Sequence, residues 1–298
     1  MNNWCFCVQK KKGNKNKVKV GSIHFTLFLL IIYLASLFIS CKVEKVNVKN
    51  DLQKDQALEF VKGIGIFFGH QSVGNNILNG ITDIYNAEGK SIKIESLDEE
   101  KIFNNTNIIH TRIGKNKFPI SKINDFSEKL NSFSNNSIDV ALMKFCYVDI
   151  STDDEVDDIY SKYVRVFEQL EAAYPDKKFI YMTIPLSSPM TGIKNDIRRM
   201  LGRLKMVDDG RTANIPRNRF NSMLRESKSK TGRLFDLAAI EATMPNGSSY
   251  LIEIDGKEYE ALYPGYTWDG GHLNTTGRRF VAEKLIRFLV ELDIAKDP

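Results

Sequence analysis

The stretch FFGHQSVGNN, Phe67 to Asn76, starts like a buried strand and ends like the first turn of a helix. Gly63–Phe68 is a short apolar run of the kind a parallel strand shows when both its faces are covered. From Val73 to Tyr85 the apolar residues Ile77, Leu78, Ile81 and Ile84 recur with helical spacing. Between the two elements stand His70, Gln71 and Ser72, so the chain places reactive side chains at a strand-to-helix corner.

Outward from this corner the pattern alternates. Strands are expected at Ile92–Leu97, Ile138–Phe145, Lys178–Ile184 and Leu234–Ile240, and helices at Ile120–Phe133, Asp153–Tyr174, Ala213–Lys228 and Gly277–Leu292. Strands alternating with helices imply crossover connections and a mainly parallel sheet covered on both faces. The expected fold is therefore a three-layer α/β/α sandwich of flavodoxin-like type, whose functional groups lie beyond the carboxyl ends of its strands. One segment departs from the alternation. Asp255-Gly256, between the strand-like runs of Ser249–Leu262, predicts a small β-hairpin insertion.

The chain has 298 residues, 42% of them hydrophobic, enough for one full-sized core. Its formal charge of +5 is unevenly placed, because residues 1–40 hold six lysines and no acid. Without them 36 basic residues face 37 acidic ones, and the main domain has no electrostatic footprint for nucleic acid. The first forty residues read as a targeting segment: a lysine-rich start, the uncharged run Phe25–Ile39, then Ser40 and Cys41. An uncleaved anchor and simple secretion are the alternatives to a lipoprotein signal; fifteen apolar residues are fewer than the roughly 20 of a spanning helix. The expected division is a signal over 1–40, a lipidated cysteine and polar tether over 41–60, and one catalytic-type domain over 61–298. Cys146 alone would remain outside the signal and the lipid attachment, so no disulfide framework is expected. Its apolar surroundings point to a buried small hydrophobe.

Near the other end stands TWDGGHLNTTGRRF, Thr267 to Phe280. Asp269 and His272 lie three apart on a glycine-bearing loop leading into the last helix. The carboxylate can orient one imidazole nitrogen and leave the other free, which is the base half of a hydrolytic triad. Ser72, at the first corner, would supply the nucleophile, with helix-start N–H groups beside it for a developing negative charge. Each half has a plainer reading: a serine at such a corner is commonly a helix cap, and Asp-x-x-His a surface turn.

Together the two blocks resemble the SGNH/GDSL hydrolase family of esterases and deacetylases, over roughly residues 62–292. Ser72 matches the serine of its first block, and Asp269 with His272 the Asp-x-x-His of its last. Leu37–Cys41 is similar to a bacterial lipobox, which implies lipid on Cys41, attachment to a membrane and an address in the cell envelope facing away from the cytoplasm. The family resemblance implies ester cleavage without metal or organic cofactor, on a small ester or an acylated carbohydrate. It also implies an oxyanion hole with a glycine and an asparagine. Gly114 fits the glycine. MKFCYVDI lacks the usual Gly-x-Asn-Asp and Gln71 stands where aspartate is usual, which leaves Asn75 and Asn76 as candidate donors. A catalytically silent relative that binds a glycan or envelope partner is the alternative.

Four further readings complete the set. His70 either joins the pocket or packs against the first strand. Arg112 either binds a polar substrate group or is a surface arginine. The acids Asp153–Asp158 suit a helix start better than calcium, so no metal site is expected. Met182, Pro185, Ser187 and Ser188 are expected to wall the pocket, and the hairpin to line its rim.

Overall fold

The computed structural model describes residues 53–98, 106–132, 138–189 and 211–292. Cys41 and the targeting segment lie outside these residues. One compact unit, Asp55–Pro298, holds the elements that follow.

Six parallel strands form the central sheet: β1 (Ile66–His70), β2 (Ile94–Ser96), β3 (Ile108–Arg112), β4 (Val140–Met143), β5 (Lys178–Met182) and β6 (Leu234–Phe235). Their order is β2-β3-β1-β4-β5-β6, with Ile66 opposite both Ile108 and Val140. Among the described residues, the helices that cover it include α1 (Ser72–Ala87), α2 (Pro119–Ser132), α3 (Val156–Ala173), α4 (Asn214–Lys228), α5 (Leu237–Ala242) and α6 (Thr275–Glu291). The expected three-layer parallel α/β architecture is what the chain adopts.

The two-residue period of a strand sorts the core into two layers. Ile66, Phe68, Val140 and Leu142 pack with Val73, Ile77 and Ile81 of α1 and with Val281 and Leu285 of α6. Phe67, Ala141 and Met143 face the other way, onto Phe126 of α2, Phe167 of α3 and Phe220 of α4. Thus β1 feeds a helix in one layer, while its neighbours β3 and β4 feed helices in the other. The crevice beyond the carboxyl end of β1 is the switch point where such sheets place their sites.

Three elements differ from expectation. Residues 108–112, outside the expected strands, form the inner strand β3. Its polar residues hide the strand pattern because each is satisfied: Thr111 Oγ1 donates to Asp98 Oδ1 at 2.8 Å and His110 Nδ1 meets His70 Nε2 at 3.1 Å. The strand expected over 234–240 stops at Phe235, because the Asp236 carboxylate accepts from Ala239 N–H at 3.2 Å and caps α5. The tether ends early too: residues 53–62 are helical, with Leu58 and Val61 buried in the first layer.

The hairpin forms as its own two-stranded sheet, β7 (Leu251–Ile254) and β8 (Lys257–Glu260), with Asp255 at φ +51° in the turn. It is fastened to α4: Asn218 bonds both backbone groups of Glu260, and Arg225 pairs with the Glu260 carboxylate at 2.7 Å.

Candidate active site

Ser72 opens α1 directly beyond β1. Gln71, in the N-cap position, is extended and does not cap the helix with its side chain. Its amide instead donates to Ile113 O at 2.7 Å and Gly114 O at 3.0 Å, pinning the β1–α1 corner to the β3–α2 loop. The start of α1 therefore keeps its dipole unopposed by a side-chain cap.

The second half is a self-bonded loop. An isolated bridge joins Thr267 to Leu273. Thr267 Oγ1 donates to His272 O at 2.7 Å and accepts from Gly270 N–H at 3.0 Å. Gly270 turns the chain at φ +88°, a conformation that suits glycine. Asp269 Oδ1 accepts from the N–H groups of Gly271 (3.0 Å) and His272 (2.8 Å), while Oδ2 lies 2.6 Å from His272 Nδ1. Burial pushes the Asp269 carboxyl up, but these bonds from His272 and Gly271 outweigh it and hold the group below its ordinary value.

Two contacts seat the loop. Ser188 N–H donates to Gly270 O at 2.7 Å, and Asn76, one turn beyond Ser72 on α1, accepts from Leu273 N–H at 3.3 Å. The result is His272 Nε2 at 2.9 Å from Ser72 Oγ, across 200 residues of chain. Serine, imidazole and carboxylate thus form one hydrogen-bonded line. With Nδ1–H donating to Asp269, Nε2 is the acceptor for the serine proton.

The remaining predicted residues divide. Gly114, at φ +46°, gives its N–H to Asp125 Oδ2 at 2.7 Å, so the loop fold spends the donor expected for an oxyanion. Asn76 acts through its side-chain oxygen on the loop backbone. Asn75 is half-buried on the first turn of α1, three residues beyond Ser72. His70 is corrected from pocket to core: it is fully buried, its ring nitrogens engaged by Gln71 O at 2.7 Å and His110. Burial pulls its pKa down to about 3. Arg112 is exposed at the end of β3, where its backbone N–H donates to Asp98 Oδ2 at 3.2 Å and its carbonyl accepts from Lys129 Nζ at 2.6 Å. Met182, Pro185, Ser187 and Ser188 are all buried: Met182 belongs to the first core layer, and Ser188 holds the loop through its N–H to Gly270 O.

Sequence reading missed the layer under the loop. Arg217, 1% exposed, donates through Nε to Ile150 O at 3.2 Å and through Nη1 to Asn214 Oδ1 at 3.1 Å and to Ser187 Oγ. Glu241 accepts from Leu186 N–H at 2.7 Å, and burial pushes its carboxyl up to about 8 against the charges of Lys144 and Arg217. Above this layer Tyr147 meets the His272 ring. Apolar periodicity gives no signal for such residues, since each is polar or aromatic and lies at an element end. Among the described residues no group of three or more His, Cys, Asp or Glu could hold a metal ion.

No protein-family model and no curated protein matches the chain. Among solved structures it is similar to the periplasmic domain of a lipopolysaccharide acetyltransferase from Salmonella ser. Paratyphi A. That likeness has 14% identity and a TM-score of 0.44, over 77% of this chain and 85% of that one. It is also similar to the psychrotrophic esterase EstA from Pseudoalteromonas sp., with 11% identity and a TM-score of 0.37, over 76% and 97%. These likenesses are distant, and the chemistry below rests on the geometry of the site itself.

Proposed function

We propose that this chain is a serine ester hydrolase that removes acyl groups from an alcohol, with Ser72 as nucleophile, His272 as base and Asp269 as its orienter. The observation that carries this reading is the continuous line from Asp269 through His272 to Ser72 at the switch point of the sheet. Ser72 Oγ attacks the acyl carbonyl while its proton passes to His272 Nε2. The oxyanion faces the uncapped N–H groups at the start of α1, with Asn75 as the side-chain candidate beside them. Collapse of the intermediate expels the alcohol, which takes the proton from His272. Water, deprotonated by the same histidine, then cleaves the acyl-enzyme and frees the acid.

The substrate proposed is an acyl group carried on a carbohydrate. The site is open: the Asp269 and His272 side chains are 52% and 38% exposed, and Trp268 beside them is 81% exposed. An indole held on a fixed loop offers a flat apolar face to a sugar ring, with room for a bulky carrier. The proposed address is the cell envelope, with Cys41 lipidated and anchoring the chain to a membrane.

The test is acetate release from acetylated sugars and aryl acetates by the full-length chain, beside Ser72→Ala, with a fluorophosphonate probe on both. Ser72→Ala should lower turnover by about 10⁴-fold or more and abolish labelling. A second reading is a non-catalytic binder, favoured by the engagement of the Gly114 N–H with Asp125. A folded wild type that neither releases acetate nor takes the probe, yet binds the same sugars, would establish it.

A further inference from the structure

Tyr147 follows β4 on the loop where the resemblance leads one to expect an asparagine. Its ring meets that of His272 at 86°, with centroids 5.8 Å apart, in the edge-type arrangement aromatic rings favour. The loop that delivers it is anchored by Asp149, which accepts from Cys146 N–H at 2.6 Å and pairs with Lys122, both charges fully buried. The guanidinium of Arg217 lies 6.0 Å over the same ring.

Gly271 explains the neighbourhood. Unlike Gly270, it is not among the residues with positive φ, so its backbone would accept an L side chain. A Cβ there would nevertheless stand 2.2 Å from Tyr147 Cζ, 2.4 Å from Cε1 and 2.6 Å from Oη. The residue is glycine because Tyr147 occupies the space.

We propose that Tyr147 is a positioning residue for His272: it braces the imidazole from the side that Asp269 and Ser72 leave open, and Gly271 exists to admit it. This rests on the hydrolase reading above. Asp269 fixes Nδ1 and thereby the tautomer, but two in-line hydrogen bonds leave the ring free to tilt about the axis they define. Small misplacements of a reacting group lower rates by about a hundredfold, and Tyr147 restrains that tilt.

The experiment compares Tyr147→Phe, Tyr147→Ala, Gly271→Ala and the double variant in the full-length chain. Tyr147→Phe should stay within about twofold of wild type. Tyr147→Ala should lower kcat by about 10–100-fold with KM little changed, and slow fluorophosphonate labelling in parallel. Gly271→Ala should also lose activity, but add no further loss once the ring is gone, since neighbours in contact are non-additive. Tyr147→Ala within twofold of wild type, or an equal Gly271→Ala loss in both backgrounds, would overturn the proposal. Should Tyr147→Ala not fold, Tyr147→Leu takes its place. A folded wild type that is silent to substrate and probe would sink the hydrolase reading alone. The bracing is then read from the His272 Nδ1–H proton resonance, sharp in wild type and Tyr147→Phe and broadened in Tyr147→Ala; no broadening overturns it.

Discussion

His70 is two residues from Ser72, the proposed nucleophile, yet belongs to the core, and this gives it a measurable role. Its imidazole is neutral when folded, because burial pulls its pKa from about 6.5 to about 3. The unfolded chain therefore takes up a proton that the folded chain refuses. The stability linked to His70 is complete above about pH 6.5 and is lost as pH falls toward 3. It amounts to about 5 kcal/mol across that window. Denaturant titrations between pH 7 and 4 should show this slope, and His70→Phe should flatten it. A slope unchanged in the variant would assign the acid sensitivity to other groups. Trp268 is the opposite case, a large apolar side chain left exposed. Trp268→Ala should raise KM for an acetylated sugar by about 5–10-fold, as loss of about 1 kcal/mol of stacking does, and leave a small aryl acetate unchanged. Equal effects on both substrates would argue against a sugar platform.

Among the elements, the last loop and α6 act as one device. Asn274 caps α6 by accepting from Gly277 N–H at 2.9 Å, and its amide donates back to Gly265 O at 2.9 Å. Asn274→Ala should cost about 1 kcal/mol of stability in a thermal melt, with a larger fractional loss of activity because the same residue ends the loop that carries Asp269 and His272. Equal wild-type activity would separate the cap from the site. This device was largely legible in sequence: Asp269 and His272 are near neighbours, and Ser72 stands at a plain change of period. What could not be read were features created by contact between distant elements. β3 is hidden because Thr111 and His110 are polar but find partners in Asp98 and His70. Leu237–Ile240 passes for the end of a strand because only the Asp236 cap, not its composition, marks a helix. Gly114 is a glycine in the right loop, but its N–H is claimed by Asp125, eleven residues on in α2.

For the molecule as a whole, the two loops at the site end that lead into α2 and α3 are tied together by a buried ion pair. Lys122 on α2 and Asp149 after β4 meet at 2.6 Å with no exposure of either side chain. Asp149 also accepts from Lys117 N–H at 2.9 Å, so one carboxylate joins the loops beyond β3 and β4. Asp149→Ala would strand the ammonium and should destabilise the fold by about 3–5 kcal/mol, whereas replacing both partners by apolar residues should cost far less. Chemical denaturation of the single and double variants checks this; a larger loss in the double variant would mean that the pair itself stabilises the fold.

The separation of 200 positions between Ser72 and His272 carries a kinetic meaning. The histidine and its carboxylate belong to one short loop and can meet as soon as that loop closes. The serine must wait until the sheet has brought the two ends of the domain together, since long closures come late. On refolding from denaturant, the helical signal should therefore return ahead of reactivity toward a serine-directed probe. The lag between them is a clock for the closing of the sheet.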